Sequence, residues 1–210
     1  MPKKITEPLG FELEDELHAK GYKIVCGTDE AGRGPLVGPV VAGACVLDPS
    51  KEIPGLNDSK KLSEKKREEL YELICENAVA WATGVCTPAE IDEINILNAS
   101  MLAMRRAIAA LGMKVDAALV DGNCTRSFEI PAFAVVKGDS KSPSIAAASI
   151  LAKVTRDRMC VELDREYPEY NIAKHKGYPT AEHMELVRKY GPCPEHRRTF
   201  LKFLNDEERK

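Results

Sequence analysis

Three apolar runs in this 210-residue chain each end on acidic side chains, and no other feature restricts the fold as tightly. Residues 23–28 run into Asp29 and Glu30. The Ala-Ala-Leu-Val run ends on Asp121, and residues 128–136 lead through Lys137-Gly138 to Asp139. Charge at the exit of an apolar strand costs free energy unless something compensates it. If the three strands are neighbours, four carboxylates from three segments converge, and their repulsion raises pKa values unless cations occupy the cluster. Hard divalent cations prefer such oxygens. Singly, each acid has a plainer reading: Asp29-Glu30 as a solvated strand end, Asp121-Gly122-Asn123 as a turn. Only the recurrence weighs against these.

The remaining pattern places the acids in a fold. Residues 39–47 and 80–86 read as further strands, and Pro131 interrupts the run 128–136. Residues 63–78 form an amphipathic helix with Leu70, Ile74 and Ala78 on one stripe. The spacing predicts a second helix over 88–111, with Thr87 and Glu90 as a capping box and Pro88 in the first turn. Ile91, Ile94, Leu97, Met101, Ile108 and Leu111 form its apolar stripe, and Gly112 ends it. A third helix starts at Ser142-Pro143 and runs towards Tyr167, with shorter helices over 181–190 and 195–204. Strands followed by alternating strands and helices give an α/β domain: a mixed central β-sheet flanked by helices, with a helical C-terminal region. No repeat or Gly/Ser linker divides residues 1–210, so one domain is expected.

Between Asp29 and Pro39 lies Asp-Glu-Ala-Gly-Arg-Gly-Pro-Leu-Val-Gly-Pro. Its glycines allow backbone amides to approach a ligand closely. The spacing fits neither a phosphate loop, which needs Gly-Lys-Ser/Thr, nor a dinucleotide fingerprint. Adjacent strand residues face opposite sides, so Asp29 and Glu30 share a site only if the strand distorts there. Ser149 and Lys153 lie four apart near the start of the third helix, on one face, where anions are favoured. A back-bonded hydroxyl and a solvated lysine are the competing readings. Lys60 belongs to a polar loop, Asn57 to Ser63, which alone reads as solvated. Tyr178, amid Lys174, His175 and Lys176, has the mixture used to stack a sugar or base beside phosphates, or anchors a loop on the core. His196-Arg197-Arg198 adds charge near the end, with Arg198 free to pair with an acid. None of the four histidines stands near a nucleophile motif, so no triad is evident.

Thirty basic and 33 acidic residues leave a net charge of −3, which excludes a generally basic nucleic-acid coat but not a local basic surface. Residues 137–198 in fact hold twelve basic against nine acidic residues. The seven cysteines are scattered and include no Cys-x-x-Cys pair; Cys193 and His196 alone make no metal site. Reduced thiols in a cytoplasmic protein are the reading, with no secretory signal and no membrane span.

At this point the residues resemble a known family. Asp29 to Val41 is similar to the opening signature of ribonuclease HII, and the similarity continues through Asn57–Ser63, Ile91–Asn98, Val120–Gly122, Lys137–Asp139, Ser149–Asp157, His175–Thr180 and His196–Phe200. Lys-Gly-Asp around Asp139 is similar to the bacterial members. The resemblance covers about 23–200 and implies the ribonuclease H-like fold, the helical part from about 165 completing the substrate groove. It implies a metal-dependent endonuclease cutting the RNA strand of RNA/DNA hybrids and nicking ribonucleotide-containing duplex DNA on the 5′ side of the ribonucleotide, leaving a 3′-OH and a 5′-phosphate. Asp29, Glu30, Asp121 and Asp139 are then the catalytic acids, holding Mn²⁺ or Mg²⁺ in a two-metal mechanism. Gly32, Arg33 and Gly34 contact the ribonucleotide, Tyr178 stacks on the next sugar, and Lys60, Ser149 and Lys153 hold phosphates. The resemblance also implies a monomer, and leaves open a replication-clamp contact through a tail. Two alternatives stand beside it: another nuclease of the same fold, such as a junction resolvase, and a non-catalytic hybrid-binding module.

Overall fold

The computed structural model describes residues 9–57 and 59–204. The terminal segments, for which a clamp contact was left open, and Asp58 of the 57–63 loop lie outside the described residues. Five strands form one mixed sheet: β1 (Val25–Ala31), β2 (Val40–Val46), β3 (Ala80–Cys86), β4 (Ala117–Asp121) and β5 (Ala132–Val135). Their spatial order is β3-β2-β1-β4-β5, the first three antiparallel and the last two joined parallel to β1. The three strands that end in acids are therefore neighbours.

Helices cover both faces. On one face, α4 (Pro143–Glu166) crosses β1 and β2 so closely that a Cβ on Gly27 would collide with the Ser144 backbone, and one on Gly43 with the Ala148 carbonyl. Ala146, Ala147 and Ala148, all fully buried, make this approach possible. Leu70 and Ile74 of α2 (Glu64–Asn77) pack on the same side, as their spacing predicted. On the other face, α3 (Pro88–Ala109) packs Ile91, Ala103, Met104 and Ala107 against Cys26, Ala42, Ala44 and Val120. A third apolar cluster joins Leu36 and Val37 to Cys160, Tyr170, Ile172, Val187 and Leu201, fastening the segment after β1 to the C-terminal part.

Several predicted elements differ in extent. β1 continues through Asp29 and Glu30 to Ala31. β5 begins only after Pro131, which has no amide for the ladder and instead accepts Ala118 N–H through its carbonyl. α3 breaks at Asn95, whose φ of 66° and ψ of 163° leave the helical region. The break resets the helical phase, so Leu97 is exposed and the later buried positions are Ala99, Ser100, Met101, Ala103, Met104 and Ala107. Residues 195–204 are not a helix: His196 bridges to Val37, and two 3₁₀ turns follow at Arg198–Phe200 and Lys202–Leu204. α1 (Glu12–Ala19) and α5 (Ile172–His175) had no sequence expectation, whereas α6 (Ala181–Tyr190) falls where it was read. Among the described residues, no helix is long and apolar enough to cross a membrane.

Candidate active site

β1 outruns β4. Its parallel pairing stops at Thr28 opposite Val120, while the antiparallel ladder to β2 runs unbroken through Ala31. The strand distortion expected between Asp29 and Glu30 is therefore absent from the ladder. Beyond Thr28 the strand has a neighbour on one side only, and both acids reach the opening left there. Asp29 and Glu30 line one cleft of about 180 Å³ with Gly32, Arg33, Gly34, Ser59, Lys60, Ser149, Lys153, Arg156 and Tyr178. A larger apolar hollow of about 440 Å³ lies near the start of β4, lined by Leu102, Met113 and Phe128, and contains none of the four acids.

Asp29 is buried, and desolvation pushes its carboxyl well above the usual range, reinforced by the charges of Glu30 and Asp121. The Ser149 hydroxyl and the Glu30 amide (2.7 Å) oppose this without cancelling it. Glu30 is raised as well, first by desolvation; Arg33, 3.4 Å away, pulls it back, Asp121 raises it further, and Lys60 lowers it slightly. Asp121 accepts the Gly138 N–H at 2.6 Å, tying the end of β4 to the Gly138–Ser140 turn that carries the buried Asp139. Asp29, Glu30 and Asp121 are thus within electrostatic reach of one another, and Asp139 follows directly on the glycine whose amide Asp121 holds.

These residues fit divalent cations by the chemistry of the donor set: carboxylate oxygens, buried and mutually repelling, which a cation would relieve. Among the described residues no three His, Cys, Asp or Glu side chains form a group able to hold an ion alone.

The other predicted residues occupy the cleft walls. Ser149 Oγ lies 2.8 Å from Ser59 Oγ, while Lys153 is tied to Asp157 at 2.6 Å. The Tyr178 ring is 46% exposed and would just touch a side chain placed on Gly34. Gly32 has a φ of 98°, and a Cβ there would strike the Arg156 side chain.

Arg156 and Arg197 were not anticipated. Arg197, read from sequence only as added charge near the end, is fully buried; it donates to the carbonyls of Gly32 (2.7 Å), Arg33 (3.1 Å) and Gly38 (2.9 Å). Arg156 donates to those of Val37, Pro39 and Lys176. Neither makes an ion pair among the described residues, and burial lowers the Arg197 pKa to about 9. Together they hold the 32–39 carbonyls inward, leaving two cations beneath the loop. One sequence signal existed: Arg156 falls on the buried stripe of α4, between Ala152 and Cys160. Arg198 meets an acid through its backbone: its amide and that of Thr199 donate to the Asp92 carboxylate.

Comparison with known proteins agrees with this geometry. The sequence model of the family Ribonuclease HII matches residues 26–204, which contain every residue of the cleft. Ribonuclease HII of Vibrio campbellii is 54% identical over 195 residues, spanning 93% of this chain and 92% of that one. Ribonuclease H2 from Pyrococcus horikoshii superposes with a TM-score of 0.71 at 32% identity, covering 89% of this chain and 99% of that chain. The ribonuclease HII of Archaeoglobus fulgidus, in its PCNA complex, gives a TM-score of 0.68 at 28% identity, over 82% and 92% of the two chains. With the acid-ended strands side by side, the glycine loop braced over them and the match spanning nearly the whole fold, this chain belongs to the ribonuclease HII family.

Proposed function

We propose that this chain is an endonuclease that hydrolyses the RNA strand of RNA/DNA hybrids. It also nicks duplex DNA on the 5′ side of an embedded ribonucleotide, leaving a 3′-OH and a 5′-phosphate. The observation that supports this most directly is the pair of buried, mutually repelling carboxyls at Asp29 and Glu30, close to Asp121, in a cleft walled by the glycine loop and Tyr178.

Asp29, Glu30, Asp121 and Asp139 would hold the divalent cations, Mg²⁺ or Mn²⁺, in a two-metal arrangement. Such ions align a water for in-line attack and stabilise the leaving oxygen. The chain's own groups do the recognition. Gly32 and Gly34 let backbone amides approach the 2′-OH, which only RNA presents as donor and acceptor. Arg33, whose side chain is half exposed, reaches the adjacent phosphate. Tyr178 stacks on the following deoxyribose and so reads the RNA–DNA junction. Lys60, Ser149 and Lys153 bind phosphates without reading sequence. The chain acts as one catalytic unit and as a monomer, the helical part from about 165 completing the groove. A cytoplasmic location suits its seven free cysteines. The PCNA complex of the Archaeoglobus protein supports a clamp contact here too, made by a tail.

The test is a duplex carrying one ribonucleotide, incubated with purified protein and Mg²⁺ or Mn²⁺. One nick 5′ to the ribonucleotide is expected, and an intact duplex with both metals overturns the reading. Asp121→Asn should lower the rate by roughly 10²-fold or more. Because it removes a charge that repels Asp29, its thermal midpoint should hold or rise. Full activity in that variant removes Asp121 from the site.

A further inference from the structure

Three histidines that the cleft chemistry does not use are packed together behind the Tyr178 turn. His183 and His196 are fully buried, and their Nε2 atoms lie 3.2 Å apart. His175 stacks on His183 with ring centroids 4.3 Å apart, and the Tyr170 ring meets His196 edge-on at 4.9 Å.

The partners determine where each proton sits. The Tyr178 carbonyl can only accept, so His183 Nδ1, 3.0 Å away, carries a hydrogen. A neutral His183 then has a bare Nε2, and the facing His196 Nε2 must donate to it. This leaves His196 Nδ1 as an acceptor, and the two groups that meet it are donors: Cys193 N–H at 3.1 Å and the Cys193 thiol at 3.0 Å. Every bond in the series Cys193, His196, His183, Tyr178 carbonyl runs in one direction. Burial lowers the pKa of both rings, that of His196 to about 4, which keeps them neutral near pH 7. His175 is ordered the same way: Gly177 N–H donates to Nδ1 at 3.2 Å, and Nε2 donates to the Tyr170 carbonyl.

The end of the series meets the proposed junction reader. The Tyr178 carbonyl takes His183 on one side and Thr180 N–H on the other. The Gly177 carbonyl accepts Leu36 N–H at 2.8 Å, docking the same turn on the glycine loop itself. We propose that His183 and His196 are positioning residues, a proton-ordered pair that fixes the Tyr178 turn and thereby sets its ring over the deoxynucleotide that follows the ribonucleotide. This inference rests on the junction-reading role of Tyr178 stated above.

A double-mutant cycle on the metal-loaded enzyme and the single-ribonucleotide duplex tests it. His183→Leu is expected to raise KM about tenfold with little change in kcat, and His183→Asn, which keeps a donor near the Tyr178 carbonyl, to recover much of the loss. In a Tyr178→Ala background His183→Leu should cost less than about twofold, because the ring it positions is gone. An equal penalty in both backgrounds overturns the proposal. If Tyr178→Ala alone leaves kcat/KM unchanged, the junction-reading role falls and the proposal with it, while the Asp121→Asn result still stands for the acids. A readout that needs neither substrate nor metal is the ¹⁵N–¹H imidazole spectrum of the unaltered protein near pH 7. Protonated Nδ1 on His183 and protonated Nε2 on His196 are expected; the opposite tautomers, or a cationic ring, overturn it even where the variants fail to fold.

Discussion

Gly32 and Gly34 stand two positions apart and should tolerate a methyl group very differently. Gly32 has a positive φ and lies against Arg156, so alanine there meets both backbone strain and a side chain fixed by three carbonyl bonds. Gly32→Ala is expected to lower unfolding free energy by roughly 2 kcal/mol as well as activity. At Gly34 the added methyl makes an ordinary contact with the Tyr178 ring at 3.4 Å. Gly34→Ala should stay within about 0.5 kcal/mol of the parent while losing kcat/KM about tenfold, because the methyl occupies space facing the substrate. Denaturant melts beside kinetics decide this, and equal stability losses would refute the distinction. Both glycines and the Asp29-Glu30 pair could be singled out from sequence as one local cluster of unusual composition, and Asp121 and Asp139 by the recurrence of acid-ended apolar runs. Arg197 could not, since its partners lie more than 150 residues earlier and are carbonyls, which every residue carries.

Glu90 and Arg106 bond at 2.6 Å across sixteen positions of α3. A straight helix would separate them by about 24 Å, so the break at Asn95 folds the first two turns back on the rest. Asn95 combines a positive φ with an extended ψ and accepts the amides of Leu97 and Asn98 through its side chain, acting as a cap inside what periodicity presents as one helix. The apolar spacing continues across the break with altered phase, which is why the helix was legible and its bend was not. The Arg106 guanidinium and the Thr87 amide hold the Glu90 pKa down to about 2. A depressed carboxyl stabilises the fold above its unfolded pKa near 4.5, and the contribution disappears as pH falls towards 2. Glu90→Gln should therefore cost roughly 1 kcal/mol at pH 7, a figure reduced for solvent screening at this partly exposed pair. The gap from the parent should narrow between pH 4.5 and 3 in denaturant titrations; a pH-independent gap would show that the ion pair contributes nothing.

Across the whole molecule, acid acts on the C-terminal part through its buried imidazoles. Unfolded histidine binds a proton near pH 6.5, whereas folded His196 does so only near 4, so the unfolded chain holds more protons in that window. Stability contributed by this ring is complete above pH 6.5 and is lost as pH falls towards 4. The raised carboxyls of the cleft work in the opposite direction, so the effect is read as a difference. Between pH 7 and 5 the parent should lose about 1–2 kcal/mol more than His196→Gln. Parallel pH curves for the two would place the acid sensitivity elsewhere. A near-neutral overall charge gave no view of this part, because its titrating groups are buried and their shifts depend on tertiary packing. The bracing of residues 32–39 by Arg156 and Arg197 also bears on the order in which the chain is made. Two of the four acids emerge from the ribosome early, but the backbone path above them is locked by side chains synthesised more than a hundred positions later. A growing chain thus carries carboxylates without the loop geometry that faces the substrate, and competence to bind nucleic acid is deferred until Arg156 and Arg197 have been made and packed.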